Sequence, residues 1–274
     1  MNGLRSFFGL SVYTTIAYRR RLALSILAFM VVLVGYGIVS RIRHVRNPDD
    51  KIVPNIAQLV SGVRYVLSPG ENERMLLIED SVASLQRLGV GVVASFGMSV
   101  IIGMSLALFP IVEAILFRFI LYFGKVPPLA ILPIVFIISG LGETTKIALI
   151  IIGITPTIIL DVYFSVKRMP KEQFISALAL GARTPTIIRR VVLPQIMPPA
   201  LTSLRLQLLN AWIFLIAAEA IASSNGLGYR IFLVRRYLAM DVIIPYVLWI
   251  AALSFTFDAL IAWWIAHRYP WYTR

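Results

Sequence analysis

Residues 171–194 read KEQFISALALGARTPTIIRRVVLP and lie between two long apolar segments. Their first part has the spacing of a short amphipathic helix, and its small apolar face comprises Ala177, Leu178 and Leu180. Gly181 predicts a turn, Arg189 and Arg190 give a second short helix a basic face, and Pro194 predicts the end of that helix. A helix–turn–helix of this kind suits docking into a groove of a soluble partner.

The composition around this stretch is that of a membrane protein. Hydrophobic residues make up 59% of the 274 residues and charged residues only 14%, with a mean hydropathy of +0.84. Soluble domains are about 25% charged, so this chain cannot cover its surface with charge. The net charge of +13 would suggest nucleic acid in a soluble protein. In a chain this apolar it indicates basic loops beside an anionic lipid bilayer, and we expect no nucleic-acid partner.

Six segments are long and apolar enough to cross a bilayer as helices, because about 20 residues span the hydrocarbon. We therefore predict an all-α polytopic membrane protein, with the third helix kinked at Pro127 and Pro128. The predicted spans are Leu22–Val39, Leu88–Phe109, Ala114–Ile138, Lys146–Phe164, Thr202–Ala222 and Pro245–Ala266.

The distribution of Lys and Arg favours a topology with both termini in the cytoplasm. Residues 1–21 mix apolar side chains with an Arg triplet and are interpreted as an interfacial segment. The predicted order is a cytoplasmic interfacial segment (1–21), the first span (22–39), an external loop with short helices (40–87), a five-helix core (88–266) that includes an inner loop (165–201), and a cytoplasmic tail (267–274).

The second span carries small residues at every fourth position: Gly91, Ser95, Ser99, Gly103 and Ala107. These residues share one face of a helix, and small side chains let two helix backbones approach closely in a membrane. The pattern predicts a tightly packed helix pair and specifies no function.

Charged residues inside the spans are costly unless they are paired or hydrated. Their vertical positions suggest an ion pair between Lys125 and Asp258 beside an aqueous path, or ion pairs that only hold helices together. Glu219 faces away from Asn210, so a continuous proton relay is not supported. The residues predicted near a translocation path are Lys125, Pro127, Pro128, Asp161, Gln207, Asn210, Glu219 and Asp258.

No motif of an enzyme is present in the sequence. There is no Cys, and the two His, His44 and His267, lie far apart, so we predict no metal site. Gly124-Lys125 is followed by Val126 and is not a phosphate-binding loop. We predict that the chain is not an enzyme and binds no cofactor, so the energy for active transport would come from another chain or from an ion gradient.

The 171–194 segment resembles the signature of the membrane permeases of bacterial ABC importers. That signature is Glu-Ala-Ala, three residues, Gly, nine residues, Ile-x-Leu-Pro, and Gly181 is followed at the same spacing by Val191, Leu193 and Pro194. The Glu-Ala-Ala positions hold Ile-Ser-Ala instead. The chain is most similar to the nitrate/sulfonate/taurine subfamily, in segments 125–133, 140–147, 180–182 and 218–228.

The resemblance implies a MetI-like permease fold in the bacterial inner membrane, with a second permease copy as the usual partner. It also implies a cytosolic ATPase dimer, which would hold ATP and Mg²⁺. The implied ATPase-coupling residues are Glu172, Ile175, Ser176, Ala177, Leu180, Gly181, Ala182, Arg189, Arg190, Leu193 and Pro194. An external binding protein would deliver the solute to the outer loops, among them Asn225, Gly226, Leu227 and Gly228.

The subfamily transports small anions such as sulfonates, taurine, nitrate or bicarbonate, and a neutral or cationic nutrient is the alternative. Two other classes are a gradient-driven secondary carrier and a membrane assembly protein without transport. A secondary carrier would show inverted repeats with broken helices in both halves, and the sequence shows no repeat.

Overall fold

The computed structural model describes residues 18–48, 50–68 and 75–272. Most of the predicted interfacial segment 1–21 lies outside these ranges. The helices within them are α1 (Tyr18–Arg46), α2 (Ile56–Val66), α3 (Leu76–Leu108), α4 (Pro110–Phe123), α5 (Pro128–Ser139), α6 (Glu143–Lys167), α7 (Lys171–Ala179), α8 (Thr184–Ile187), α9 (Leu193–Ala222), α10 (Leu227–Val234) and α11 (Met240–Arg268). A π-helical turn (Ile188–Val192) precedes α9, and a 3₁₀ turn (Arg235–Tyr237) follows α10.

Five of these segments are individually long and apolar enough to cross a membrane: α1, α3, α6, α8 with α9, and α11. A sixth is the pair α4 and α5, whose axes are bent by 102°. The third predicted span, Ala114–Ile138, is therefore two helices rather than one. Pro127 and Pro128 explain the break, because neither has an N–H for the helix ladder and Pro128 starts the new helix.

The packing of α3 against α6 shows that the bent pair crosses the bundle. Gly91 on α3 lies against Ile150, and Gly103 lies against Ile159, so residue numbers rise together along the two helices. Parallel helices require the chain between them to return from one end of the bundle to the other. The α4–α5 pair makes this return and so provides the sixth crossing.

The small residues of α3 lie in this helix pair, as predicted. Ser95 and Ser99 are fully buried, and the Ser99 hydroxyl donates to the carbonyl of Thr155 on α6 at 3.2 Å. A Cβ atom on Gly103 would lie 2.8 Å from the Ile159 carbonyl oxygen, a contact that side chains do not make. The close approach of the two helices thus depends on the absent side chain.

The two ends of the bundle are distinct. One end, the coupling end, carries the last turn of α6 and helix α7, and there Lys167 binds Glu113 at the start of α4 at 2.8 Å. The other, the loop end, carries the start of α6 and the segment after Ala222. Helix α9 is antiparallel to α6, since Ser203 contacts Asp161 near the coupling end and Phe214 contacts Gly153 farther from it.

Several helices extend beyond the predicted spans. Helix α1 continues to Arg46, and α3 begins at Leu76, twelve residues before the predicted Leu88. The predicted external loop 40–87 therefore contains the end of one helix and the first three turns of another. Hydropathy misses these turns because they carry Glu79, Asp80 and Arg87, whose charges lower the local average.

The segment between α1 and α2 is held by polar contacts. Arg43 of α1 binds Asp50, and this hydrogen bond, with a second from the Ile52 N–H, lowers the pKa of the Asp50 carboxyl. Helix α2 starts at a capping box in which Asn55 and Gln58 satisfy each other's backbone N–H. A short, capped helix therefore stands at the loop end, where Gly62 packs on Asp241 at the start of α11.

Candidate functional site: a polar line in the bundle and an exposed docking helix

Helix α7 ends in a Schellman motif at the predicted glycine. The N–H of Gly181 donates to the carbonyl of Leu178 at 2.9 Å, and the N–H of Ala182 donates to the carbonyl of Ala177 at 3.0 Å. Gly181 has a φ of +77°, a region that glycine adopts without steric cost. The fixed spacing from the short helix to Gly181 follows from this turn, because the motif needs glycine one residue past the cap.

The exposed side of α7 is apolar. Leu180 is 88% exposed, and Ile175 and Leu178 are also exposed. Ala177, predicted to be on the same apolar face, instead turns inward and packs on the core together with Ala182. The free apolar face thus consists of Ile175, Leu178 and Leu180, with Ser176 exposed among them.

The second half of the segment differs from its predicted shape. Glu172 is exposed in the first turn of α7, and Arg189 and Arg190 are exposed in the π-helical turn. The predicted stop at Pro194 is wrong, because Pro194 lies directly after the π-helical turn, inside a helix that runs without interruption from Thr184 to Ala222. Leu193 starts α9 and packs on the core, so the docking segment continues directly into a transmembrane helix.

Polar side chains form a line along one side of α9. Asp161 on α6 accepts a hydrogen bond from Ser203 on α9. Gln207 and Asn210 follow Ser203 by about one and two turns of α9, and the Asn210 amide donates to the Gln207 side chain at 2.9 Å. Ser203, Gln207 and Asn210 share a helix face. We call Asp161, Ser203, Gln207 and Asn210 the polar line; it runs from near the coupling end to the middle of the bundle.

Lys125 lies at about the middle of the bundle. It occupies the link between α4 and α5 with Pro127, where a Cβ on Gly124 would lie 3.1 Å from the Cβ of Pro156 in mid-α6. Its side chain is exposed, with Nζ 5.8 Å from the centre of the Tyr122 ring. Pro128 begins α5.

The predicted ion pair between Lys125 and Asp258 is wrong. Asp258 instead accepts two hydrogen bonds from Arg205 on α9, at 2.8 and 2.7 Å. Arg205 and Asp258 line a groove between α9 and α11 with Trp212, on a different side of α9 from Asn210. The vertical positions alone could not show which side of its helix each charge occupies.

Glu219 belongs to a buried network at the loop end, away from the polar line. Its side chain is completely buried and accepts hydrogen bonds from Arg87 at 2.7 Å, Ser84 at 2.8 Å and the N–H of Gly228 at 2.9 Å. Arg87 also donates to Glu143 at 2.9 Å. Helices α3, α6 and α9 and the loop after α9 thus meet around the Arg87–Glu219 ion pair.

The same network holds the loop that contains Asn225, Gly226, Leu227 and Gly228. Arg87 donates to the Asn225 side chain at 2.6 Å, and the N–H of Leu227 donates to Ser84 at 2.8 Å. Gly226 has a φ of +118°, and a Cβ there would lie 2.6 Å from a Glu219 oxygen. This loop is therefore part of the buried structure and not a free docking strand.

A second carboxylate completes the loop-end network. Asp80 is fully buried and accepts from the N–H of Gly226 and from Arg230, both at 2.9 Å, and from the Tyr246 hydroxyl at 2.8 Å. The sequence prediction missed Asp80, Ser84 and Arg87, since all their partners except Glu143 lie more than 130 residues away. Within 18–48, 50–68 and 75–272 no group of three or more His, Cys, Asp or Glu could hold a metal ion.

A bundle of membrane-crossing helices with a polar line on one side and an exposed docking helix at one end has the architecture of a transport permease. Comparison with known families agrees: residues 99–272 match the model of the binding-protein-dependent transport system inner membrane component family. The chain belongs to this family. It is a multi-pass inner-membrane permease subunit of an ABC importer.

Two curated relatives illustrate the relationship. The taurine transport system permease protein TauC of Escherichia coli (strain K12) is 30% identical over 87% of this chain and 86% of its own. The bicarbonate transport system permease protein CmpB of Synechococcus elongatus (strain ATCC 33912 / PCC 7942 / FACHB-805) is 28% identical over 68% of each.

The fold has a solved counterpart. A chain of the MetNI methionine ABC transporter, solved in inward facing conformations, superimposes with a TM-score of 0.57 over 70% of this chain and 98% of that chain. At 20% sequence identity this similarity concerns the fold alone. The family implies ATPase and binding-protein partners, and the predicted MetI-like fold is confirmed.

Proposed function

We propose that the chain moves a small oxyanion, of the sulfonate or bicarbonate class, that an external binding protein delivers. Both solutes named for the two relatives carry an anionic oxygen group at neutral pH. In this proposal Lys125, exposed at mid-height beside the bend, supplies a positive charge to the passing solute. A neutral or cationic nutrient is the alternative, and it would gain nothing from this lysine.

Two cytosolic ATPase subunits would dock on residues 171–194. The observation that carries this proposal is the exposed apolar face of α7, held in position by the Schellman turn at Gly181. Exposure of such an apolar face to water costs about 25 cal/mol for each Å² of apolar surface. Docking covers it, and the direct continuation into α9 gives a mechanical connection from the ATPase to the polar line.

The coupling end would then face the cytoplasm and the loop end the outside. Helix α11 runs from Tyr246 beside Asp80 to Asp258 beside Arg205, so the C-terminus emerges at the coupling end. Six crossings are an even number, which places the N-terminus on the same side. Docking on α7 and this count together support a topology with both termini in the cytoplasm.

A second copy of the chain would close the path. Thr157 is exposed one turn before Asp161 of the polar line, which is itself exposed on α6, so a single chain forms only one wall of a polar pathway. Burial of these groups against lipid would be costly, whereas a facing copy would enclose them with water. Alternating access would follow from ATP-driven closure of the ATPases, which would bring the two α7 helices together.

A solute panel tests the substrate class. The transporter is reconstituted in nanodiscs with its ATPases, and its binding protein is loaded in turn with taurine, bicarbonate, a neutral amide or a cationic vitamin precursor. We expect ATP hydrolysis to rise at least about fivefold with an anion-loaded binding protein. Stimulation by the neutral or cationic solute alone would contradict the proposed anion class.

A further inference from the structure

A compact projection follows α10 at the loop end of the bundle. It consists of Arg235, Arg236, Tyr237 and Leu238, which we call the outer knob. All four side chains are exposed, Tyr237 by 73% and Leu238 by 59%. In the described part of the chain no carboxylate pairs with Arg235 or Arg236, while Arg235 lies 4.8 Å from the centre of the Phe232 ring.

The backbone of the knob is held in an unfavourable conformation at its tip. Among the described residues Leu238 is the one non-glycine residue with a positive φ, at 54°. Its N–H donates to the carbonyl of Arg235 at 3.1 Å, so it occupies the position past a helix end that glycine usually fills. Glycine adopts this conformation without steric cost, so Leu238 presents an exposed apolar side chain at a small cost in backbone strain.

The knob has a rigid base. Helix α10 beneath it starts at Leu227, which is fully buried, and Arg230 binds the buried Asp80 at 2.9 Å. A groove of about 410 Å³ lined by Tyr65, Tyr237 and Asp241 borders the knob. A fixed Arg-Arg-Tyr-Leu surface beside a groove has the composition of a protein–protein interface, in which Arg and Tyr are enriched.

We infer that the outer knob is a docking surface for the external binding protein, which would offer it an acidic patch around a small apolar spot. The inference rests on the proposed function, since it places the knob outside the membrane. Lipid head groups would also attract two arginines, but they need no fixed backbone geometry. The strained and anchored tip therefore favours a protein partner.

The test measures how much taurine-loaded binding protein gives half-maximal stimulation of ATP hydrolysis by the complete transporter in nanodiscs. The variants are Arg235→Glu with Arg236→Glu, and Leu238→Gly; the charge-matched control is Arg41→Glu with Arg46→Glu, at the end of α1. We expect the half-saturating concentration to rise about tenfold or more with the double charge reversal. For Leu238→Gly we expect a severalfold rise together with an unchanged or higher melting temperature.

Unchanged half-saturating concentrations in both knob variants, or an equal rise in the control, would overturn the inference. A lower melting temperature with unchanged half-saturation would assign the knob to lipid contact and also overturn it. If the binding protein fails to stimulate even the wild type with any solute of the panel, the proposed function fails instead. The two failures are thus distinguishable.

Discussion

Replacing Leu178 and Leu180 with aspartate will release the ATPase subunits from the permease and leave the permease folded. Both side chains are exposed on α7, so the substitutions create no cavity and bury no charge in the isolated chain. In the complex each would place a carboxylate in an apolar groove, at a cost of about 2 kcal/mol or more, the size of an interface hot spot. Together they should reduce ATPase affinity by more than about a hundredfold.

The measurement is copurification of the ATPase with the tagged permease, paired with a thermal melt of the permease alone. Val45→Asp serves as the control, because Val45 is 80% exposed and lies at the end of α1 that packs near α2. We expect the control to retain its ATPase. Full retention of the ATPase by the double variant would refute docking on α7.

Substituting Arg87 with methionine will strongly lower the stability of the folded permease. Methionine fills a similar volume but leaves Glu219 buried without a counter-charge and removes hydrogen bonds to Glu143 and Asn225. Breaking a buried ion pair by removing one partner costs about 3–5 kcal/mol. We expect the melting temperature of the purified protein to fall by on the order of 10 °C.

A second substitution separates the ion pair from simple loss of packing. The Arg87→Met, Glu219→Leu double variant replaces the pair by apolar side chains, an exchange that is often nearly neutral. It should melt above the Arg87→Met single variant. A single variant as stable as the wild type, or a double variant less stable than either single, would show that the network does not hold the loop end together.

The membrane class and most of the bundle could be predicted from the sequence, because apolar runs of about 20 residues are typical of membrane-spanning helices and rare elsewhere. The break between α4 and α5 was visible in Pro127 and Pro128, and the α3–α6 contact in the small residues from Gly91 to Ala107. These features are local: each depends on residues within one or two turns of a helix. Local patterns of this kind can be recognised in the sequence without knowledge of the tertiary structure.

The loop-end network was not predictable for the opposite reason. Asp80, Ser84 and Arg87 look like part of a polar loop, and only their partners on α9, α10 and α11 make them buried. Glu219 was recognised as an intramembrane charge, yet its assignment to the path could not be checked without Arg87. A contact between side chains more than 100 residues apart cannot be recognised from a single sequence.

The docking segment, residues 171–194, was only partly predictable from the sequence. The helix, the turn and the importance of Gly181 follow from sequence spacing, since a Schellman motif has a fixed register. The inward direction of Ala177 and the passage of the helix through Pro194 depend on packing against α9 and the core. The orientation of a short amphipathic helix is set by the surface on which it lies.

Solute uptake by sealed proteoliposomes tests the central claim most directly. The complete transporter is reconstituted with the ATPase side and the binding-protein side in separate compartments, and labelled solute is followed with and without ATP. We predict that uptake needs both ATP at the coupling end and loaded binding protein at the loop end. Uptake should stop when either is omitted. Uptake driven by an ion gradient without ATP would contradict the assignment and indicate a secondary carrier.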